Sequence, residues 1–156
     1  MQVKIVQFPS TPVAVAEHCG PPEREYETSA RLVAWRRENG VSPTAHQTYG
    51  VHYTDPRSTP PADHRVDFCV SYDPSISENA HGVIRKVIPA CRCAQVRHLG
   101  SRHDVAAARW LCLDWLPASG ERPGEFPLFF HYVNVGPDVR EDEMITDVYL
   151  PLTDPS

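Results

Sequence analysis

Short apolar segments of strand length alternate along the chain with longer segments in which apolar residues follow helical spacing. In the first half, the pattern predicts strands at Val13–Glu17, Thr48–Thr54 and Arg65–Tyr72. A helix is predicted after the first strand, because Pro21-Pro22 suits a first helical turn and Asn39-Gly40 supplies a C-terminal stop. The side chains predicted to share one side of this helix, beside Leu32 and Trp35, are Tyr26, Ala30, Val33 and Arg37.

The second half has the same order of elements. Strands are predicted at Cys93–Arg97, Leu128–Val133 and Ile145–Leu152. The intervening helix is expected to begin with a capping box, Ser101-x-x-Asp104, and to end at Leu116-Pro117. Its predicted apolar stripe consists of Ala106, Trp110, Leu113 and Leu116. The loop before the last strand of each half carries a turn signal, Asp55-Pro56 or Gly136-Pro137.

Landmark residues recur in order when the sequence is shifted by 80 positions. The main pairs are Pro9/Pro89, His18/His98, Gly20/Gly100, Trp35/Trp115, Gly40/Gly120, Pro43/Pro123 and Asp67/Asp147. This recurrence predicts one domain, 1–156, made of pseudo-repeats at about 1–76 and 81–156. The expected fold class is α+β: a duplicated β-α-β-β unit with pseudo-twofold symmetry, one main helix per half, and antiparallel sheets that form a concave ligand cleft.

Composition and charge disfavour several classes of protein. The chain has 156 residues, a formal net charge of −5, and no apolar run near the ~20 residues that a membrane helix needs. Its N-terminus lacks the apolar core and cleavage site of a secretory signal. The basic residues are scattered, which disfavours direct nucleic-acid binding. Five cysteines without a C-x-x-C pair indicate reduced thiols, and we expect a cytoplasmic protein.

The motifs of common cofactors and catalytic mechanisms are missing, among them G-x-S-x-G, G-x-G-x-x-G and H-E-x-x-H. We therefore predict no cofactor and no metal. Cys19 beside His18 is either a reactive thiol or part of a strand-to-helix corner. Asp67 and Asp147, which are equivalent in the repeat, are either a catalytic carboxylate pair or structural residues bonded to backbone or to an arginine such as Arg65.

Aromatic residues concentrate in the last two predicted strands. Alternation places Leu128, Phe130 and Tyr132 on one face of their strand, and Asp147 and Tyr149 on one face of theirs. Such aromatic walls suit flat lipophilic ligands, and filling the core is the alternative role of the same side chains. The candidate ligand-binding residues are His52, Cys69, Trp110, Phe130, Tyr132 and Tyr149, with Asp147 and Glu17 as candidate acidic groups.

A set of motifs covers essentially the whole chain. In the second half they are His98-Leu99-Gly100, Trp110-x-x-Leu113-x-Trp115-Leu116, Ser119-Gly120, Pro127-x-x-Phe130-x-Tyr132-x-Asn134 and Thr146–Leu152. In the first half they are Tyr53-x-Asp55-Pro56, Thr59-Pro60 and Arg65-x-Asp67-Phe68-Cys69-Val70. Together they resemble the GyrI-like family of bacterial effector-binding domains, which have a SOUL-like fold. The terminal T-D-x-Y-x-P segment is the most specific part of the resemblance.

The resemblance implies a duplicated β-α-β-β fold and a small-molecule-binding role. Family members occur fused to helix-turn-helix regulators, including multidrug sensors, or as free-standing proteins. Some free-standing members antagonise DNA gyrase inhibition, and others hydrolyse cyclopropane-bearing DNA-alkylating toxins. Because the first repeat begins almost at residue 1, we expect a stand-alone protein rather than a transcription factor.

One departure from the family changes the expected ligand. Members that bind cations place a glutamate two residues before the strand tyrosine, and that position is Phe130 here. Without a buried carboxylate, nothing offsets the desolvation of a cationic ligand. The pocket is therefore expected to prefer neutral, flat, apolar molecules, unless Asp147 or Glu17 supplies the missing charge.

Three functions follow from these observations. The leading hypothesis is a non-enzymatic protein that binds a hydrophobic or aromatic small molecule in the cleft between the halves, for ligand sensing or for sequestration of a toxin or drug. The second is a hydrolase that detoxifies lipophilic DNA-alkylating compounds in the same pocket, with His52, Asp147 or Tyr149 transferring protons. The third is a modulator of a protein partner such as DNA gyrase or a regulator. No nucleic-acid or membrane partner is expected.

Overall fold

The computed structural model describes residues 1–55, 57–136 and 138–155. The chain divides into two compact units. The central unit is Thr11–Ile88, and the terminal unit joins Met1–Ser10 to the residues from Pro89 onward. Pro56 and Pro137, which belong to the two predicted turn signals, lie outside the described residues.

The bounds of the elements recur along the chain with the 80-residue offset that a duplication predicts. The strands are β1 (Lys4–Phe8), β2 (Thr11–Cys19), β3 (Thr48–His52), β4 (Arg65–Ser71), β5 (Ile84–Ile88), β6 (Cys91–Leu99), β7 (Phe129–Tyr132) and β8 (Ile145–Pro151). The main helices are α1 (Glu25–Glu38), α2 (Ala106–Trp110) and α3 (Leu116–Ser119), and a π-helical turn, Leu111–Trp115, joins α2 to α3. Single 3₁₀ turns lie at Pro22–Arg24, Pro61–Asp63 and Glu141–Glu143.

Each unit contains four hydrogen-bonded antiparallel strands, which we call the central sheet and the terminal sheet after their units. The order is β3-β4-β2-β5 in the central unit and β1-β6-β8-β7 in the terminal unit. The predicted succession of strand, helix, strand and strand is confirmed in both units. The sequence pattern does not predict β1 or β5, because each is a five-residue edge strand that carries charged residues, Lys4 in β1 and Arg85 and Lys86 in β5.

Helix α1 packs on the central sheet through the side that carries Leu32 and Trp35. Tyr26 and Val33 are exposed, at 69% and 41%, so the side of the helix that they share faces solvent. Apolar residues form two stripes on this helix, and the stripe that contains Leu32 and Trp35 packs against the sheet. The core residues that these two side chains join are Ala14, Ala16, Val41, Val70 and Val83.

The C-terminus of α1 depends on a left-handed glycine. Asn39 caps the helix and Gly40 follows with φ of 66°. Because a Cβ built at Gly40 would meet nothing within 4 Å, an alanine there is penalised by its backbone conformation alone. We predict that Gly40→Ala lowers the free energy of unfolding by about 1 kcal/mol in urea titrations. Gly40→Asn should lose less, since asparagine tolerates this conformation better, and an alanine variant as stable as the wild type would contradict the assignment.

The helix of the terminal unit departs from the prediction at both ends. It begins at Ala106, whose backbone N–H donates a hydrogen bond to Asp104 Oδ1 (2.9 Å). Ser101 Oγ instead accepts a hydrogen bond from the backbone N–H of His103. The predicted capping box is therefore wrong. The helix also continues through Pro117 and ends at Ser119, before Gly120 with φ of 78°. The wider π-helical turn precedes Pro117, which has no N–H to donate and would crowd the carbonyl group one turn earlier.

The helix side of the terminal sheet forms a second apolar core. Its buried members are Ala94, Val96, Ala107, Leu111, Val148, Leu150 and Leu152. Trp110, Trp115, Leu128 and Phe130 pack against it from the rim. None of the helices in the described part of the chain has the length and apolar character needed to cross a bilayer.

Candidate functional site

The register of the terminal sheet decides which side chains share a face. Phe130 lies opposite Val148, which in turn lies opposite Val96, and the two valines belong to the core under the helix. Tyr132 lies opposite Thr146 on that same face. The neighbouring residues Phe129 and His131 therefore point to the other side of the sheet, because side chains alternate along a strand.

The face opposite the helix carries a packed aromatic cluster. Phe129 is fully buried, and its ring stacks on Tyr149 with centroids 5.0 Å apart and an interplanar angle of 7°. Phe8 contacts both rings edge-on, at 4.9 Å from Phe129 and 5.3 Å from Tyr149. Phe126 adds an edge contact to Phe129 at 5.9 Å. We call Phe8, Phe126, Phe129 and Tyr149 the aromatic cluster.

Polar groups border this cluster on the same face. Gln95, opposite Tyr149 in the ladder, donates a hydrogen bond from Nε2 to the Tyr149 hydroxyl (2.9 Å). Burial raises the pKa of Tyr149, so the phenol stays protonated at neutral pH. Burial also lowers the pKa of His131, which keeps this imidazole neutral. The border of the cluster can therefore donate and accept hydrogen bonds without adding net charge.

Asp147 on this face already has a cationic partner. Its carboxylate accepts two hydrogen bonds from the Arg97 guanidinium, at 2.8 Å from Nε and 3.0 Å from Nη2. Asp147 is buried, whereas more than half of the Arg97 side chain is exposed. The pair is held by the ladder, in which Arg97 and Asp147 lie directly opposite each other. Asp147 is thus neutralised within its own unit.

Asp67, at the equivalent position of the central unit, is neutralised in a different way. Its Oδ2 accepts hydrogen bonds from Lys86 Nζ and from the Tyr53 hydroxyl, both at 2.8 Å. Lys86 also contacts Glu17 Oε2 at 2.8 Å. Burial alone lowers the pKa of Lys86, but its bonds to Asp67 and Glu17 raise it above the ordinary value. Burial, and then the hydrogen bond to Asp67, raise the pKa of Tyr53 to about 12.

These contacts answer the question raised by the two aspartates. Both are bonded to cations, as the structural alternative expects, but the partners are Lys86 and Arg97 rather than Arg65. The Arg65 guanidinium instead lies over the Tyr53 ring, 4.6 Å from its centroid. Glu17 is likewise paired with Lys86. Neither candidate acidic group is left as an uncompensated buried carboxylate.

The structure separates the predicted ligand-binding residues into two sets. Tyr149 and Cys69 lie on sheet faces directed away from the helices, each in its own unit. Phe130, Tyr132, Trp110 and His52 lie on the helix side of their sheets. The register of β7 and β8 puts Phe130 and Tyr132 on one face of the sheet and Tyr149 on the opposite face, so these three candidate residues do not share a face. A ligand-binding role for each set stays a prediction.

A small cavity lies beside the helix-side set. It is lined by Phe130, Tyr132, His98, Arg102, Thr146 and Val148, and its volume is about 10 Å³. That is room for about one water molecule. The Arg102 guanidinium lies 5.2 Å from the centroid of the Tyr132 ring and donates to the carbonyl oxygen of Asn134. Entry of an aromatic ligand here requires side chains to move.

His52 provides a pH-dependent signature of the central unit. Burial, and then the nearby His64, lower the pKa of His52 to about 4. Because an unfolded histidine titrates near 6.5, the unfolded state binds more protons than the folded state between about pH 6.5 and 4. The free energy of unfolding should therefore fall as the pH falls through this window, by at most about 1.4 kcal/mol per pH unit. His52→Gln is expected to flatten the slope in urea titrations, and the exposed His103→Gln is the control; equal slopes in both would contradict this assignment.

His18 and Cys19 form a corner between strand and helix. His18 is buried, with Nδ1 2.8 Å from Thr28 Oγ1 and Nε2 3.1 Å from the carbonyl oxygens of Gly20 and Pro21. In the terminal unit His98 Nε2 lies 3.0 Å from the carbonyl oxygen of Ser101. Both ring nitrogens of His18 are thus engaged away from Cys19, which supports the corner interpretation. Within the described residues, no group of three or more His, Cys, Asp or Glu side chains is arranged to hold a metal ion.

Comparisons with known proteins identify the family of this chain. The sequence model of the GyrI-like small molecule binding domain matches residues 1–153. The chain belongs to the GyrI-like small-molecule-binding family. A relative from Escherichia coli K12 named "Probable transcriptional regulator YgiV" is 40% identical to this GyrI-like chain over 154 residues, which cover 97% of this chain and 96% of the relative.

Two more distant proteins are also similar to this chain. A protein of Erwinia billingiae named "DNA gyrase inhibitor" is 27% identical over 157 residues, covering 98% of each chain. The crystal structure of the EcmrR C-terminal domain superposes with a TM-score of 0.75 at 17% identity, covering 99% of this chain and 98% of that one. This second likeness shows the fold, which confirms the predicted fold class.

Proposed function

We propose that this GyrI-like protein binds neutral aromatic small molecules at the aromatic cluster of the terminal unit. The observation that carries the proposal is the pairing of stacked rings with a border that can form hydrogen bonds: Phe129 and Tyr149 face the same way as Gln95 and His131. Apolar surface with a few orienting polar groups is the usual composition of a small-molecule site. Offset and edge-on ring contacts suit the aryl groups of a ligand.

The charges of the site favour neutral ligands over cations. A cation that leaves water needs a buried counter-charge, and the buried Asp147 is already satisfied by two hydrogen bonds from Arg97. Glu17 and Asp67 in the central unit share Lys86 in the same manner. At the position of the family glutamate stands Phe130, which packs against the helix-side core. We therefore propose ligand sensing or sequestration of a neutral, lipophilic compound.

The experiment that tests the location of the site uses two neighbouring residues of β7. His131 and Tyr132 are both half-buried, but they lie on opposite faces of the terminal sheet. Triphenylphosphine oxide, a neutral triaryl compound, serves as the probe in calorimetric titrations. His131→Ala should weaken binding by about tenfold, the equivalent of about 1.4 kcal/mol. Tyr132→Ala should leave the affinity unchanged, and the reverse result would place the ligand at the helix-side set and overturn the proposal.

A second role is favoured by one relative. The similarity to the protein named "DNA gyrase inhibitor" extends over 98% of both chains, so we propose modulation of gyrase as the alternative function. A supercoiling assay with purified gyrase tests it, in the presence and absence of this protein. Inhibition that weakens with salt and survives His131→Ala would support a protein interaction through a separate surface. Unchanged supercoiling at a large molar excess would exclude the alternative.

Hydrolysis is the third function to be tested, and it needs a group that can move a proton. Because the pKa of His52 is about 4, its imidazole is neutral at neutral pH. It can therefore accept a proton during catalysis but cannot act as a general acid. The hydroxyl of Tyr149 is bonded to Gln95, and Asp147 is held by Arg97. These contacts favour binding over turnover. Incubation with activated esters and cyclopropane-bearing alkylators, followed by chromatography, distinguishes the two functions.

A further inference from the structure

Two thiols lie side by side at the start of β6, apart from the aromatic cluster and the ion pairs of the two aspartates. In the run Cys91-Arg92-Cys93 the two cysteines point to the same face of the strand, and their Sγ atoms are 3.4 Å apart. Both are free thiols. Cys93 is fully buried, whereas Cys91 is half-buried and accessible to a small molecule. The pair therefore combines one open and one enclosed sulfur at van der Waals distance.

A disulfide is a poor product for this pair. Residues two apart on a strand have Cα atoms about 6.6 Å apart, which is at the upper end of the range that disulfides tolerate. Closing the bond would bring the sulfurs from 3.4 Å to about 2.0 Å against a strand held by neighbours on both sides. Burial also raises the pKa of Cys91 and of Cys93, which keeps both in the thiol form that oxidants attack slowly.

The spacing instead matches two sulfurs that share one bridging atom. Two bonds of about 2.3 Å, the length of a metal–sulfur bond, span about 3.4 Å when they meet at about 95°. A linear two-coordinate metal would need sulfurs about 4.6 Å apart on the same bond length. A tetrahedral zinc would need two further ligands, and the described residues provide no group of three. A pyramidal atom with two sulfur ligands and one organic substituent satisfies the geometry.

We propose that Cys91 and Cys93 form a dithiol site that captures trivalent aryl arsenicals. In the reaction the arsenic–oxygen bond of an aryl arsenoxide is replaced by two arsenic–sulfur bonds. The oxygen leaves as water with the two thiol protons, and arsenic remains trivalent, so no oxidant or reductant is required. In the product, the three-residue segment Cys91-Arg92-Cys93 is closed through a single arsenic atom, which carries the aryl group as its third substituent.

The aromatic side chains beside the two cysteines favour an arsenical that carries an aryl group. Cys91 lies directly opposite Phe8 in the β1–β6 ladder, which places the two side chains on one face about 5 Å apart. Phe8 in turn contacts Phe129 and Tyr149 of the aromatic cluster. An aryl ring on the arsenic can therefore pack against Phe8, a contact that inorganic arsenite or a methyl arsenical cannot make. The site borders the proposed ligand site but does not rest on it.

The test uses the full chain, freed of dithiol reductants, with phenylarsine oxide as the probe. Intact-mass spectrometry should show one adduct per chain, carrying one phenylarsenic group in place of two hydrogens. Because two attachments act together, the adduct should survive excess glutathione and be removed by dithiothreitol. Cys91→Ser should weaken capture by about 100-fold or more, since one attachment is lost. Cys93→Ala should weaken capture to the same extent. Alanine is chosen at this position because the hydroxyl group of a serine would be buried there.

Matched controls locate the adduct. Cys112→Ser changes another half-buried cysteine and should leave capture unchanged, as should Cys19→Ser at an exposed position. Capture that persists in Cys91→Ser and Cys93→Ala, or disappears in either control, would overturn the proposal, as would a wild-type chain that forms no adduct. Arsenite that competes as well as phenylarsine oxide would overturn the selection for aryl groups. Triphenylphosphine oxide binding to Cys91→Ser, measured in parallel, tests the proposed function separately.

Discussion

Phe129→Ala is expected to lower the free energy of unfolding by about 3–5 kcal/mol, the largest loss among the substitutions considered. The side chain is fully buried and contacts three other rings, so its removal leaves a cavity that the stacked Tyr149 and the edge-on Phe8 and Phe126 cannot fill without moving. Urea unfolding followed by tryptophan fluorescence measures the loss. If the variant is too unstable to titrate, Phe129→Leu gives a smaller and measurable decrease.

The neighbouring Phe126 provides the control for this prediction. It contacts the same cluster, but it is only half-buried. Phe126→Ala should therefore cost less than half as much as Phe129→Ala. If the two variants lose the same free energy of unfolding, the full burial of Phe129 and its stacking on Tyr149 give no additional stability, which would contradict this prediction.

Arg97→Met is expected to have the second-largest effect, on stability and on ligand preference together. The substitution keeps the length of the side chain but leaves the buried Asp147 carboxylate without a counter-charge. Loss of one partner of a fully buried pair costs about 3–5 kcal/mol, and the exposure of Arg97 reduces the expected loss here to about 2 kcal/mol. The released carboxylate should also attract cationic ligands to the face that carries Phe129 and Tyr149.

Two further variants separate the charge effect from the loss of packing. Arg97→Lys retains the positive charge but loses the pair of hydrogen bonds to Asp147, so it should recover only part of the stability. Asp147→Asn combined with Arg97→Met removes both charges and should be more stable than Arg97→Met alone. If the double variant is as unstable as the sum of the two single variants, the two side chains do not interact and the structural account of this pair is wrong.

The order of elements could be predicted from sequence, because it depends on local periodicity and on turn residues. The predicted strands Thr48–Thr54 and Arg65–Tyr72 begin at the same residues as β3 and β4 and end within two residues of them. The edge strands β1 and β5 could not be predicted in this way, since each has only five residues, and Gln7 in β1 and Arg85 and Lys86 in β5 interrupt the apolar pattern. The π-helical turn before Pro117 could not be predicted either, because sequence rules predict that a helix ends at such a proline.

The composition of the site was harder to predict than the fold, and the residues of β7 show why. Aromatic side chains occupy consecutive positions at Phe129 and Phe130, so alternation alone cannot tell which of them faces the helix. Only the register against β8 decides this. The partners of the two aspartates, Lys86 and Arg97, depend on which strands become neighbours in the sheet. The local sequence pattern does not predict that strand order.

The most direct test of the account is the ratio of affinities for a neutral and a cationic ligand of similar shape. Triphenylphosphine oxide and tetraphenylphosphonium form such a pair, and calorimetry gives the Kd of each for the wild type and for Arg97→Met. We predict that the wild type binds the neutral compound at least about tenfold more tightly, and that Arg97→Met shifts the ratio toward the cation by about tenfold or more. A wild type that prefers tetraphenylphosphonium would contradict the claim that Asp147 is neutralised for ligand binding.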